Sequence, residues 1–195
     1  IRRVERRQCY ERAFTCLEEA TQLAPALAEP WQCWGLALAE RGRYDTTSDP
    51  QACFAQAYER YQRAADAAPL DRRHQIWLDF ARELERYARR DPEHAVALAT
   101  RVGERLEGAL AEVPARAAEL CLARGDLFAA AGRFTTAESE YARGRDAGDE
   151  AVGDLDASGV VEGLEHRRHG SLLPMLVGVL PLVVHHYPRF APRTL

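Results

Sequence analysis

Trp31-Gln32-Cys33-Trp34-Gly35-Leu36-Ala37-Leu38, followed in order by Gly42, Tyr44, Ala57, Tyr61, Ala64 and Pro69, is the stretch whose reading decides the fold. Large aromatic residues stand beside Gly and Ala, so one helix is built to approach another closely, with no Cβ at Gly35 to hold it off. Pro69 belongs to a series. Pro25, Pro69 and Pro114 each follow an Ala/Leu-rich amphipathic stretch and stand 44 and 45 residues apart, which is a repeat period.

A second set of breakers divides each period in two: Pro30, Gly42 with Ser48-Asp49-Pro50, and Asp91-Pro92. Pro suits a first helical turn and disrupts an interior one. The spacing therefore predicts helices at 2–24, 30–43, 50–68, 72–90, 92–112, 115–132 and 134–146. The clearest stripe is Trp77, Phe80, Ala81, Leu84, Tyr87 and Ala88, all on one face of a helix. Ala95, Ala99, Val102, Leu106, Ala109 and Val113 form a thinner one, and small residues facing large ones predict antiparallel packing. No strand alternation competes with these stripes.

With this order of residues the chain resembles the tetratricopeptide repeat family, whose unit is a helix pair with a large residue and a Gly in the first helix and an Ala/aromatic/Ala/Pro series in the second. A second copy reads Gly125, Phe128, Gly132, Phe134, Ala137 and Tyr141, ending in Gly144. A half copy, Ala13, Leu17, Ala20 and Pro25, opens the chain. The segment Ala57 to Glu83 also resembles the half-a-TPR variant of RNA-processing scaffolds. The first two full periods exceed the family's usual 34 residues or so by about ten. The resemblance implies an all-α, right-handed α-solenoid of antiparallel helical hairpins over residues 1–149, with residues 150–195 a linker and an apolar, Pro/Gly-broken tail. One hairpin cannot hide its apolar stripe alone, whereas stacked hairpins bury a continuous core and leave one curved face free to bind.

On the first helices, the residues away from the packing stripe are Gln32, Leu36, Ala39 and Glu40, then Leu122, Asp126 and Ala129. Gln32, Leu36, Glu40, Leu122 and Asp126 are the expected partner-binding residues. The family's carboxylate-capturing subclass uses Lys, Arg and Asn on this face. Acidic and apolar residues stand here instead, so a partner segment with apolar and basic side chains fits better.

Composition agrees with an ordinary soluble balance: 195 residues, 47% hydrophobic and 29% charged, with a net charge of -4. That charge gives no global reason to hold nucleic acid or an anionic membrane. All 26 basic residues are Arg, with no Lys or Asn, which reads as coding bias rather than a design for phosphate. Arg2, Arg3, Arg6, Arg7 and Arg12 form a local basic cluster, interrupted by Glu5 and Glu11 as on a solvated helix face. Arg86, Arg89 and Arg90 close a helix whose dipole they complement.

Five cysteines, an odd number without a CxxC pair, read as reduced thiols of a cytoplasmic protein, and Cys9 and Cys16 as buried apolar ones. His166, His169, His185 and His186 lack a matching ligand framework. No nucleophile elbow, phosphate loop or zinc-hydrolase helix is present in the sequence, so neither catalysis, a metal nor a cofactor is expected. The run Leu172 to Val184, broken by Pro174, Gly178 and Pro181, is shorter than the roughly 20 residues of a membrane span and reads as a segment folding back on the last hairpin. The first helix, lacking a partner, is expected to expose an apolar edge and promote self-association. The function expected is a non-catalytic protein-interaction scaffold. The alternatives are an RNA-processing scaffold within a ribonucleoprotein and a regulatory module of a larger bacterial signalling protein or enzyme.

Overall fold

The computed structural model describes residues 2–158, with side chains from 7 to 148. Seven α-helices and one short 3-10 turn make up this part: α1 (Arg2–Leu23), α2 (Ala28–Tyr44), α3 (Pro50–Ala67), α4 (Leu70–Ala88), α5 (Pro92–Glu112), the turn Pro114–Arg116, α6 (Ala117–Ala130) and α7 (Phe134–Ser158). No strand occurs among the described residues. Pro50 and Pro92 open their helices as expected, whereas α2 begins at Ala28, two residues before Pro30. Asp49 and Asp91 cap α3 and α5 by accepting from Gln51 N (2.9 Å) and His94 N (3.4 Å), with Pro50 and Pro92 opening each helix. After α6, Gly132 takes φ 75°, and Arg133 N and Gly132 N donate to Phe128 O (2.8 Å) and Ala129 O (3.1 Å). That pair of bonds is a Schellman ending, which needs the left-handed residue.

The end of α7 departs from expectation. The last helix was expected to span 134–146, yet α7 runs on to Ser158, through the first residues of the expected 150–195 linker. Gly144 is buried against α6, where an added Cβ would meet Cys121 Cβ at 3.3 Å and Ala118 O at 3.4 Å, so it serves close packing rather than breaking the helix. The apolar run 172–184 and the four histidines beyond 158 lie outside the described residues, as do the side chains of Arg2, Arg3 and Arg6.

Each helix packs on its chain neighbour, and α2, α4 and α6 also touch in turn. Gly35 faces Tyr61 while Gly42 faces Cys53 and Phe54, so α2 and α3 run antiparallel. Gly125 faces Tyr141 and Gly144 faces Cys121, which makes α6 and α7 antiparallel as well. Between the first two hairpins, three hydrogen bonds share one sequence separation of 47 residues: Gln32 to Asp79, Arg90 to Arg43 O and Arg105 to Tyr58. A constant offset along both helices means that α4 lies beside α2, and α5 beside α3, in parallel register. The next step is shorter, with separations of 33 to 37 residues for Arg133 to Thr100, Arg143 to Glu107 and Arg82 to Glu119.

The core follows the stripes. Phe54, Tyr61, Leu78, Phe80, Leu84, Val102, Leu106, Leu120 and Leu127 are fully enclosed, and Phe54 stacks on Tyr87 at 4.5 Å and Tyr61 on Phe80 at 4.7 Å. Helix α4 is buried more widely than its single stripe suggested, with Ile76, Leu78, His74 and Glu83 also enclosed. It sits between two hairpins and touches α2, α3, α5 and α6.

Candidate functional site

The first helices of the three hairpins, α2, α4 and α6, form one row whose outward side chains are tied by a polar ladder. Gln32 Nε2 donates to Asp79 Oδ2 at 2.9 Å, and Gln75 Nε2 and Arg82 Nη1 donate to Asp79 Oδ1 at 2.9 and 3.1 Å. Arg82 then reaches α6 through Glu119 Oε1 at 3.4 Å, and Glu119 also accepts from Arg116 at 3.3 Å. The i, i+4 and i, i+7 spacing of Gln75, Asp79 and Arg82 places them on one side of α4. Burial pushes the Asp79 carboxyl above its ordinary range, and its bonds from Gln75, Arg82 and Gln32 pull against that shift.

One turn further along α4, Glu83 is enclosed and takes Arg43 Nη2 of α2 at 2.7 Å and Arg86 Nη1 at 2.8 Å. Glu40 of α2 stands beside this cluster. Its carboxyl is raised, by burial first; the Arg43 charge opposes the shift, Glu83 adds to it and Arg86 opposes it. On α6, Leu122 is 45% exposed and Asp126 accepts from Tyr141 OH at 2.8 Å. Tyr141 is pushed up to about 12 by burial and then by Asp126, so it stays a donor.

The five expected residues thus fall into two groups joined by α4. Gln32, Leu36 and Glu40 lie one turn apart along α2, with Gln32 bonded to α4. Leu122 and Asp126 continue the side of α6 that begins at Glu119. What the sequence reasoning left out was the middle of the row: Asp79, Arg82, Glu83 and Arg86. Their signal was present, since Asp79, Glu83 and Arg86 recur at helical spacing beside the apolar stripe of α4. Their partners stand on other helices, and nothing local names them.

Elsewhere, the charges serve structure. Arg124, buried on α6, pairs with Glu140 at 2.9 Å and with Glu107, and Arg143 bridges Glu107 (3.0 Å) and Glu140 (3.2 Å), binding α5, α6 and α7 together. Arg86 and Arg89 pair with Glu83 and Glu85 on their own helix, and Arg90 donates to Arg43 O. An open groove of about 220 Å³ lies between the second helices α3 and α5, with Phe54, Tyr87 and Leu98 in its walls. At its rim Arg101 rests over the Tyr58 ring (4.1 Å) and His94 is held by Asp91 (2.7 Å). Asp91, Glu93 and Asp49 all raise the His94 imidazole, so the charge around this groove is of mixed sign.

Cys9 and Cys16 correct the sequence reading. Both are exposed, because α1 packs on α2 through its other side, where Phe14 lies beneath Arg41 and Thr21 is buried. All five cysteines are free. The uncovered side of α1 carries Arg7, Glu11, Arg12, Glu18 and Glu19 beside the two thiols and Leu23, so it is mostly polar and not the apolar edge expected of it. No three His, Cys, Asp or Glu side chains among the described residues are grouped to hold a metal ion, and no described helix is long and apolar enough to cross a membrane. No protein-family model and no curated protein matches the chain.

Proposed function

We propose that the chain is a tetratricopeptide-like right-handed solenoid acting as a non-catalytic, cytoplasmic protein-interaction scaffold, and that the α2/α4/α6 face binds a segment of a partner protein. The observation that carries this reading is the row itself. Three helices from three successive hairpins bring Gln32, Leu36, Glu40, Leu122 and Asp126 to one continuous polar surface with an exposed Leu in it. The repeat reading is supported by two Gly–Tyr seams at the same place in two hairpins, Gly35 on Tyr61 and Gly125 on Tyr141, and by the shared 47-residue offset. A rigid row presenting polar groups around apolar ones is suited to an extended or helical peptide segment.

Most arginines on this face are already matched to carboxylates, which removes the free basic stripe that phosphate recognition requires. The test is enrichment from source lysate with the full chain, with and without ribonuclease. It is run in parallel with Leu36→Glu and Leu122→Glu. Proteins that survive ribonuclease and are lost with both variants support the reading. Partners that vanish with ribonuclease move the function to an RNA-processing assembly.

A further inference from the structure

This inference rests on the reading of the α2/α4/α6 face as a binding face and names the chemistry of what it takes. Four carboxylates on that face have partners within the protein. Asp79 accepts from three donors, Glu83 accepts from Arg86 and is ion-paired with Arg43, Glu119 accepts from two arginines and Asp126 from a tyrosine. Among the half-buried and enclosed ones, Glu40 is the exception. It is half-buried, and among the described residues its carboxylate makes no hydrogen bond and no ion pair.

The reason is geometric. The two cations whose charges act on Glu40, Arg43 and Arg86, both direct their guanidinium groups to Glu83, at 2.7 and 2.8 Å. Glu83 is enclosed, so its need for them is greater, and its own charge repels Glu40. Half-burial disfavours the ionised form of this carboxylate, which no donor within the protein matches. One turn earlier on α2, half-buried Leu36 offers apolar surface beside it. The pair is thus an unmatched acceptor next to an apolar contact.

We infer that Glu40 is the acceptor for a Lys or Arg side chain of a partner peptide segment whose neighbouring apolar side chain lies on Leu36. Charge complementarity selects this occupant. An incoming ammonium or guanidinium supplies the donors that Arg43 and Arg86 withhold, whereas an acidic segment meets Glu40 and Glu83 together. Along α2, Leu36 and Glu40 are separated by about 6 Å, which an extended peptide spans with an apolar-x-basic spacing.

Two measurements on the full chain test it. In the first, Glu40→Gln raises Tm in the absence of any partner, while Glu83→Gln lowers it. A Glu40→Gln Tm that is unchanged or lower overturns the inference, because the carboxylate is then serving the fold. In the second, fluorescein-labelled Gly-Leu-Ala-Arg-Leu-Gly and its Arg-to-Gln counterpart are titrated and read by anisotropy. The wild type binds the Arg peptide about tenfold more tightly or better, in line with a charge-assisted hydrogen bond, and Glu40→Gln removes the preference. No binding of either peptide at millimolar concentration, or equal preference in wild type and variant, overturns the role of Glu40. Binding that is lost with Leu122→Glu but indifferent to Glu40→Gln removes that role and leaves the face. Binding indifferent to Leu36→Glu and Leu122→Glu removes the face itself.

Discussion

At Gly35 a Cβ would stand 2.5 Å from Tyr61 Cδ2 and 3.2 Å from Ala57 O, so the hairpin closes only because that atom is missing. Gly35→Leu is expected to cost about 1 to 3 kcal/mol through overpacking, measured as a fall in urea midpoint, and an unchanged midpoint would take Gly35 out of the seam. The Gly–Tyr seams were legible because close approach leaves a mark in residue size. Cys9 and Cys16 were misread for the complementary reason, since seven-residue spacing tells which residues share a face but not which face is covered. Ionisation adds a second expectation. Asp79 and Glu40 are both raised by burial, so the folded chain holds these two protons more tightly than the unfolded chain does. Their contribution is fully present below the unfolded values, about 4, and is lost as pH rises through the folded ones. The stability advantage of Glu40→Gln over wild type should therefore grow from pH 4 to pH 7 in urea titrations. An advantage independent of pH contradicts a raised Glu40.

Among the elements, α4 and α7 differ most from what local pattern suggests. The stripe of α4 was read correctly, yet a stripe reports one buried face, and α4 has neighbours on several sides. Its enclosed Glu83 and half-buried Asp79 look like ordinary surface residues until α2 and α6 are placed beside them. The α5–α6–α7 junction depends on Arg124, which is 8% exposed and holds the enclosed Glu140. Arg124→Met should destabilise by about 3 kcal/mol or more, because it leaves Glu140 buried with only Arg143 to match it. Arg124→Met with Glu140→Leu should recover much of that loss. If the double variant is no better than the single one in chemical denaturation, the buried charge is not the cause.

Across the described part of the molecule, contacts run between helices close in sequence, so stability should be graded rather than uniform. Amide exchange is expected to be slowest in α4, which touches four other helices, and faster in α1, which rests on α2. Equal protection in the two would contradict that order. The succession of packed helices was legible because the spacing of breakers and apolar stripes survives substitutions at single positions, whereas the expected period of 44 to 45 residues gives way to offsets of 47 and then 33 to 37. The candidate face was legible in part, because outward positions can be counted but cross-helix pairs such as Gln32 with Asp79, 47 residues apart, belong to the folded chain alone. The central claim is that partners dock on the α2/α4/α6 face, and site-specific photocrosslinking in source lysate tests it most directly. A photoreactive residue is placed in turn at Leu36 and Leu122 on this row, and at the exposed Ala55 and Ala97 of α3 and α5. The account predicts ribonuclease-resistant protein crosslinks from positions 36 and 122 and none from 55 and 97; crosslinks confined to 55 and 97 would contradict it.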